Sequence, residues 1–296
     1  MALDDLDKSR ADLRFVTRIL EGADFSGIIT GVAQPQITRQ SLSRLQIPLP
    51  PLAEQKRIAA ILDAADALRT KRRESLAQLN TLLQSTFLDM FGDPLTNPKG
   101  WEVTKLGTHT SKVGSGATPR GGDKSYKSEG IALIRSLNVR DGEFQWKDLA
   151  RIDDVQASKL SNVIVKEEDV LLNITGASVA RVCLAPKDVL PARVNQHVCI
   201  IRTTDSLEPR FLEKLLLASS MKRYLLRIGE SGATRQAITK SQVLNLELPF
   251  PPLVLQRRFT GIVESIEQQK ARLREHLAEL DTLFASLQQR AFNGEL

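Results

Sequence analysis

Bond-making chemistry needs a nucleophile, an acid or base, or a metal set, and this 296-residue sequence places few such groups at useful spacing. Its three histidines, His109, His197 and His276, are scattered. Neither a G-x-S-x-G elbow nor an H-E-x-x-H pair occurs. Cys183 and Cys199 have no His or Cys at ligand spacing and lie in apolar runs, the pattern of reduced core cysteines. The acidic run "KEEDV" reads as a solvated strand entry, without the P-D…E-x-K set of a nuclease. "LPPL" lacks the polar and aromatic members of the Asn-Pro-Pro-Tyr type motif of amino-methyltransferases. Gly116 and Gly121 have Walker A spacing, but Gly122 stands where the phosphate-binding lysine belongs and Lys124 comes two residues late. The expectation is a chain with no catalysis and no cofactor of its own.

Side chains that bind a polyanion are more plentiful. The segment "KVGSGATPRGGDKSYKSEG" combines five glycines with Lys112, Thr118, Arg120, Lys124 and Lys127, a flexible basic loop suited to a DNA backbone or simply a solvated surface. "NITGASVARV" offers Thr175, Ser178 and Arg181 beside Gly176, to a phosphate, to a base edge, or to nothing more than a turn. "PARVNQHV" holds Arg193, Asn195 and Gln196; Asn and Gln pair bidentately with adenine and Arg with guanine, although such a loop is often only a polar turn. Arg235 in "GESGATRQAIT" and Arg135, Asn138 and Arg140 in "IRSLNVR" complete the DNA-contact set.

These loops need a scaffold, and an internal repeat supplies its outline. "QITRQSLSRLQIPLPPLAEQKRI" from Gln36 lies over "AITKSQVLNLELPFPPLVLQRRF" from Ala237 at a constant offset of 201 residues, and Gly31 meets Gly232. Each copy reads as strand, proline break and long helix, because Pro51 can begin a helix but not sit inside one. A 4-3 apolar rhythm runs from Phe259 through Val263, Ile266 and Lys270 to Leu273, Leu277, Leu280, Phe284, Leu287 and Ala291. Its counterpart is Ile58, Leu62, Ala65, Arg69, Arg72, Leu76, Leu79, Leu83, Thr86 and Met90. Such seams predict that the two helices pair as an antiparallel coiled coil. Arg69 and Arg72 interrupt the first seam, either snorkelling or marking a partner's docking point. Leu76, Leu79, Leu83, Leu273, Leu277, Leu280 and Phe284 are the subunit-interaction candidates.

After "FGDPLTNPKGW" the texture changes to short β-rich runs, "IALIR", "NVIV", "DVLLNIT", "ARVCLA" and "HVCIIRTT", followed by the helical "EPRFLEKLLLASSMKRYLLRIG". The expected fold class is α+β, with one globular domain and two long helices. The boundaries read as a domain remnant over 1–46, a first helix over 47–93, a complete domain over 94–246 and a second helix over 247–296. The charge balance is mildly basic, 41 Lys and Arg against 35 Asp and Glu, which suits a polyanion without requiring one. No run approaches the roughly 20 apolar residues of a membrane span, and the acidic N-terminus is unlike a signal peptide, so the cytoplasm is expected.

The proline pairs, the Gln-Lys/Arg-Arg starts, "FGD", "GW", the G-x-T-P-R loop, "VLLNITGASVARV", "NQHV" and "GATRQAIT" together resemble the DNA-specificity subunit of Type I restriction-modification systems. The resemblance covers essentially the whole chain. It implies target-recognition domains alternating with two conserved helices that act as rod and ruler, each domain reading half of a split double-stranded DNA site. It also implies methyltransferase subunits docked on the helices and translocase/nuclease subunits joining for cleavage, with S-adenosylmethionine, ATP and Mg only on those partners. "ADLRFVTRIL" matches the late "RFLEKLLLAS", so the first recognition domain is expected to survive only as its tail. A chain of that kind could self-associate to pair two recognition domains. The alternatives are a coiled-coil protein-interaction scaffold or a defective truncated subunit that no longer reads DNA.

Overall fold

The computed structural model describes residues 6–30, 34–230 and 236–296, so Arg235 and the Gly31–Gly232 correspondence lie outside the described residues. The chain opens with α1 (Leu13–Gly22), the single turn α2 (Arg39–Leu42) and the long α3 (Leu52–Phe91). Next come β1 (Val103–Lys105), β2 (Thr110–Ser115), β3 (Ile131–Ile134), β4 (Val139–Arg140), β5 (Glu143–Phe144), β6 (Ala150–Ile152) and α4 (Asp154–Ser158). Then follow β7 (Val170–Asn173), β8 (Val182–Leu184), β9 (Ala192–Val194), β10 (Val198–Thr203), α5 (Pro209–Leu217) and α6 (Ser219–Glu230). The last elements are α7 (Lys240–Leu244), β11 (Glu247–Pro249) and α8 (Leu253–Asn293). Two compact units emerge, one of Met1–Asn80 with Glu267–Leu296, the other Thr81–Ile266.

In the first unit α1 starts where the Asp12 carboxylate accepts the N–H groups of Arg14 and Phe15, a side-chain N-cap. Its apolar face, Phe15 and Ile19, is buried with Ile58, Ala59, Leu62 and Ala65 of α3 and Phe284 and Ala291 of α8. The early residues of α3 thus meet the late residues of α8, as an antiparallel pair requires. Arg69 sits in this seam as a half-buried cation. It donates to Asp281 at 2.6 Å and Asp66 at 3.1 Å, and its guanidinium lies 4.2 Å from the centre of the Phe284 ring. Arg18 joins α1 to α3 through Asp63 at 2.8 Å and Asp66 at 3.1 Å.

In the second unit the four-stranded sheet has the order β2-β10-β7-β8, all neighbours antiparallel. The short strands β3, β6 and β9 form a second sheet in which β3 pairs parallel with β9. Leu171, Cys183, Val198 and Ile200 face the core shared with Leu133 and Val194 of that sheet. The helix α5 packs against β7 and β8. With sheet neighbours on both sides and cover on both faces, Val198–Ile201 are all buried, so β10 is a continuous apolar strand. "NVIV" is a correction. Ser161–Val163 form a 3-10 turn, and an isolated antiparallel bridge from Ile164 to Arg193 joins the segment to β9, with the Val165 N–H donating to Ala192 O at 3.1 Å. The predicted single helix after β10 is two, because Ala218 between α5 and α6 is extended.

The two helix starts are built alike. The Pro51 carbonyl accepts the N–H groups of Glu54 and Gln55, and Pro252 does the same for Leu255 and Gln256, so each proline sits before the first helical residue. Gln55 is fully buried; its Nε2 donates to Arg10 O and Pro50 O, and its Oε1 accepts the Asp12 N–H. Gln256 repeats this, donating to Pro251 O and accepting the Glu208 N–H. Thr38 and Thr239 likewise cap α2 and α7 at the same repeat offset. The copies differ at the preceding strand. β11 pairs antiparallel with β1, whereas residues 46–48 take no strand pairing among the described residues. Phe87 and Phe91 of α3, Phe211 and Phe259 close the second unit, with ring centroids 4.9–5.9 Å apart.

Candidate nucleic-acid interface

The three loops singled out by their polar residues converge on one side-chain network. Thr118, from the first loop, donates its hydroxyl proton to Gln196 Oε1 at 2.5 Å. Gln196 Nε2 stands 3.1 Å from His197 Nε2, and His197 Nδ1 stands 2.5 Å from the Thr175 hydroxyl of the second loop. Backbone bonds hold the loops behind this network. Ile174 N–H donates to His197 O, Gly176 N–H to Gln236 O, and Ile238 N–H to Ile174 O. The segment that follows residue 235 is thereby drawn to the same place.

Glycine is required at the base of the first loop. The Gly116 N–H donates to Asn195 O at 3.1 Å, and a Cβ there would lie 1.9 Å from Val194 O. Gly176 has φ +73, a left-handed conformation that lets the second loop turn back after Thr175. In the same loop as Thr118, Arg120, Lys124 and Lys127 are exposed, with Asp123 and Glu129 moderating their charge. Lys127 reaches Asp153 at 3.5 Å. Arg140 is exposed on the β4-β5 hairpin, and Lys112, Ser178 and Arg181 are half-buried.

Several of the named residues support the site instead of lining it. Asn138 is fully buried, accepting the Arg135 N–H and donating to Gln145 O and Lys147 O. Asn195 is buried with its Oδ1 on the His197 N–H. The Asn138 amide is spent on backbone at both ends, and the Asn195 oxygen at one. Arg135 is largely covered; it donates to Asp148 O at 2.6 Å and lies over the Tyr126 ring, tying down the first loop. Arg193 donates to Ala157 O and Ala192 O, and burial lowers the pKa of its guanidinium below the usual value. Among the seam residues, Leu83 and Phe284 are buried within the chain, which removes them from the surface a partner subunit could touch; Leu76, Leu79, Leu273, Leu277 and Leu280 are half-buried. His197 was not singled out in the sequence as part of this site. The adjacency of His197 to Gln196 was the available signal.

His109 is structural, its ring stacked on Phe250 at 4.0 Å and its two nitrogens facing Thr104 and Ser206. Burial raises the Cys199 thiol to about 11 and pushes Cys183 higher still.

The sequence profile described as "Type I restriction modification DNA specificity domain" matches residues 4–80 and 98–281. The chain belongs to that family. It is 24% identical over 254 residues to the Type I restriction enzyme MjaVIII specificity subunit of Methanocaldococcus jannaschii, covering 80% of this chain and 59% of that protein. It is also 24% identical to the EcoBI specificity subunit of Escherichia coli, covering 99% of this chain and 67% of that one. The chain thus spans 59% and 67% of the lengths of these two relatives. Among solved structures, the HsdS subunit from Thermoanaerobacter tengcongensis is similar at 25% identity with a TM-score of 0.51, covering 98% of this chain and 72% of that one. The second of the family's two matched segments contains the whole Thr118–Gln196–His197–Thr175 network. Among the described residues no helix is long and apolar enough to cross a membrane.

Proposed function

We propose that this chain is a sequence-reading, non-catalytic specificity subunit. Its β-rich domain, residues 94–246, reads half of a split site in double-stranded DNA, and its two long helices, residues 47–93 and 247–296, space and scaffold the complex. The observation that carries the reading is the convergence of three separate loops, through Thr118, Thr175 and Gln196, on one polar network, with exposed Arg120, Lys124 and Lys127 in the same loop as Thr118. Cations hold phosphates without regard to sequence, and a fixed carboxamide discriminates base edges. Lys112, Arg140, Ser178, Arg181 and Arg235 are retained as contacts around that centre.

Methyltransferase subunits are the proposed partners of the helices, with restriction/translocase subunits joining them; S-adenosylmethionine, ATP and Mg belong to those partners, and the assembly works in the cytoplasm. The β-rich domain reads one half-site, and a second copy in a self-associated form is the proposed source of the other. A gel shift of the chain with its methyltransferase on random duplexes tests this reading. Salt-sensitive binding is expected; absent or salt-insensitive binding favours a pure protein scaffold.

A further inference from the structure

Reading the site as a DNA-recognition surface leaves His197 without a role, and its hydrogen bonds give it one. A glutamine carboxamide has two lone pairs on Oε1 and two protons on Nε2. At Gln196 the Thr118 hydroxyl takes one lone pair and His197 Nε2 takes one proton. An accepting Nε2 places the ring proton on Nδ1, where it is donated to the Thr175 hydroxyl. The ring is itself held from behind, with its backbone N–H on Asn195 Oδ1 at 3.0 Å and its carbonyl accepting from Ile174 N–H at 3.0 Å.

We infer that His197 is a positioning residue for base reading: together with Thr118 it fixes which way the Gln196 carboxamide faces, so that the exposed side chain offers one acceptor and one donor to adenine. One lone pair and one N–H remain free on Gln196, and adenine presents the complementary N6–H donor and N7 acceptor in the major groove. Were the amide turned over, oxygen and nitrogen would exchange places and the match would be lost. Thr118 supplies the proton that marks the oxygen end, and His197 the lone pair that marks the nitrogen end. This inference rests on the DNA-recognition reading and adds the base class and the residue that enforces it.

The test is selection of bound duplexes from a randomised pool by the chain assembled with its methyltransferase. The wild type should enrich a motif containing adenine. Gln196→Ala should cut the preference for one adenine by about 5- to 150-fold, the worth of a good bidentate contact. His197→Leu and Thr118→Val should relax that same position, by about fivefold or more, and leave the other positions intact. His197→Gln, which keeps an acceptor for Gln196 and a donor for Thr175, should restore it. Should His197→Leu fail to fold, Thr118→Val carries the test from the other end of the same amide. A motif unchanged in these variants, or weakened equally at every position, overturns the role of His197 while leaving DNA reading in place. No motif from the wild type overturns the DNA-recognition reading itself, and the role of His197 with it.

Discussion

Gln256 Oε1 accepts the backbone N–H of Glu208 at 3.0 Å, and this one bond ties the start of α8 to the start of α5. The equivalent Gln55 accepts the Asp12 N–H at 2.8 Å and so ties α3 to α1. Both amides are buried, and each leaves backbone groups without partners if removed. Gln256→Leu and Gln55→Leu should each lower stability by about 2–4 kcal/mol, from unsatisfied buried groups worth roughly 1–3 kcal/mol apiece. Thermal or urea unfolding of the two variants checks this, and a change under about 0.5 kcal/mol in either would contradict the shared role.

The polar interruption of the seam should act on register more than on stability. Arg69 bridges Asp281 at 2.6 Å across the two helices while covering Phe284. Arg69→Ala should cost about 1–2 kcal/mol, because it removes the shorter of the two bonds to Asp281, which keeps Arg73 at 3.1 Å, and uncovers the ring. Replacing both partners, in Arg69→Leu with Asp281→Leu, should recover most of that loss. Denaturant midpoints of the singles and the double measure the coupling; simple additivity would show that the two residues do not interact.

Exposed cations of the first loop should contribute affinity without choice of sequence. Changing Arg120, Lys124 and Lys127 together to Gln should weaken binding to all duplexes alike. The slope of log K against log salt should become shallower by about 0.9 for each phosphate no longer neutralised. Fluorescence anisotropy across a salt series reads both quantities. An altered motif with an unchanged slope would assign these residues to base reading instead.

Alkaline pH should bear on the buried thiol. Burial raises Cys199 from an ordinary value of 9.0 to about 11. The unfolded chain therefore ionises first, and the stability due to the protonated thiol is full below about pH 9 and lost on rising towards about pH 11. The loss has a slope of at most about 1.4 kcal/mol per pH unit. Cys199→Ala should flatten the stability profile in this window, measured by unfolding between pH 8 and 11 at about half-unit steps. An unchanged slope would mean that the thiol does not titrate differently in the two states.

Much of the fold was legible because its signals are local or repeated. The 4-3 rhythm located both helices, and every named seam position from Ile58 to Met90 and from Phe259 to Ala291 is at least half-buried. The repeat also marked Gln55 and Gln256, though only coordinates reveal that they bind an N–H about 45 residues distant in sequence. Loop residues were harder. Asn138 and Gln196 look equally able to read a base in a sequence, and what separates them is whether nearby carbonyls already occupy the amide. Those carbonyls, Gln145 O and Lys147 O, are brought in by the β4-β5 turn, a tertiary arrangement that no spacing announces. His197 was passed over for a related reason, since the partner of its Nδ1, Thr175, comes from another loop.

Mapping methylated adenines in DNA from cells that carry this chain with its methyltransferase tests the central claim most directly. The wild-type chain should direct methylation to one defined split motif. Gln196→Ala should change that motif at a position within a half-site while the spacing between halves stays the same. Methylation at an identical motif with and without Gln196, or at no defined motif in the wild type, would contradict the assignment of sequence reading to the Thr118–Gln196–Thr175 face.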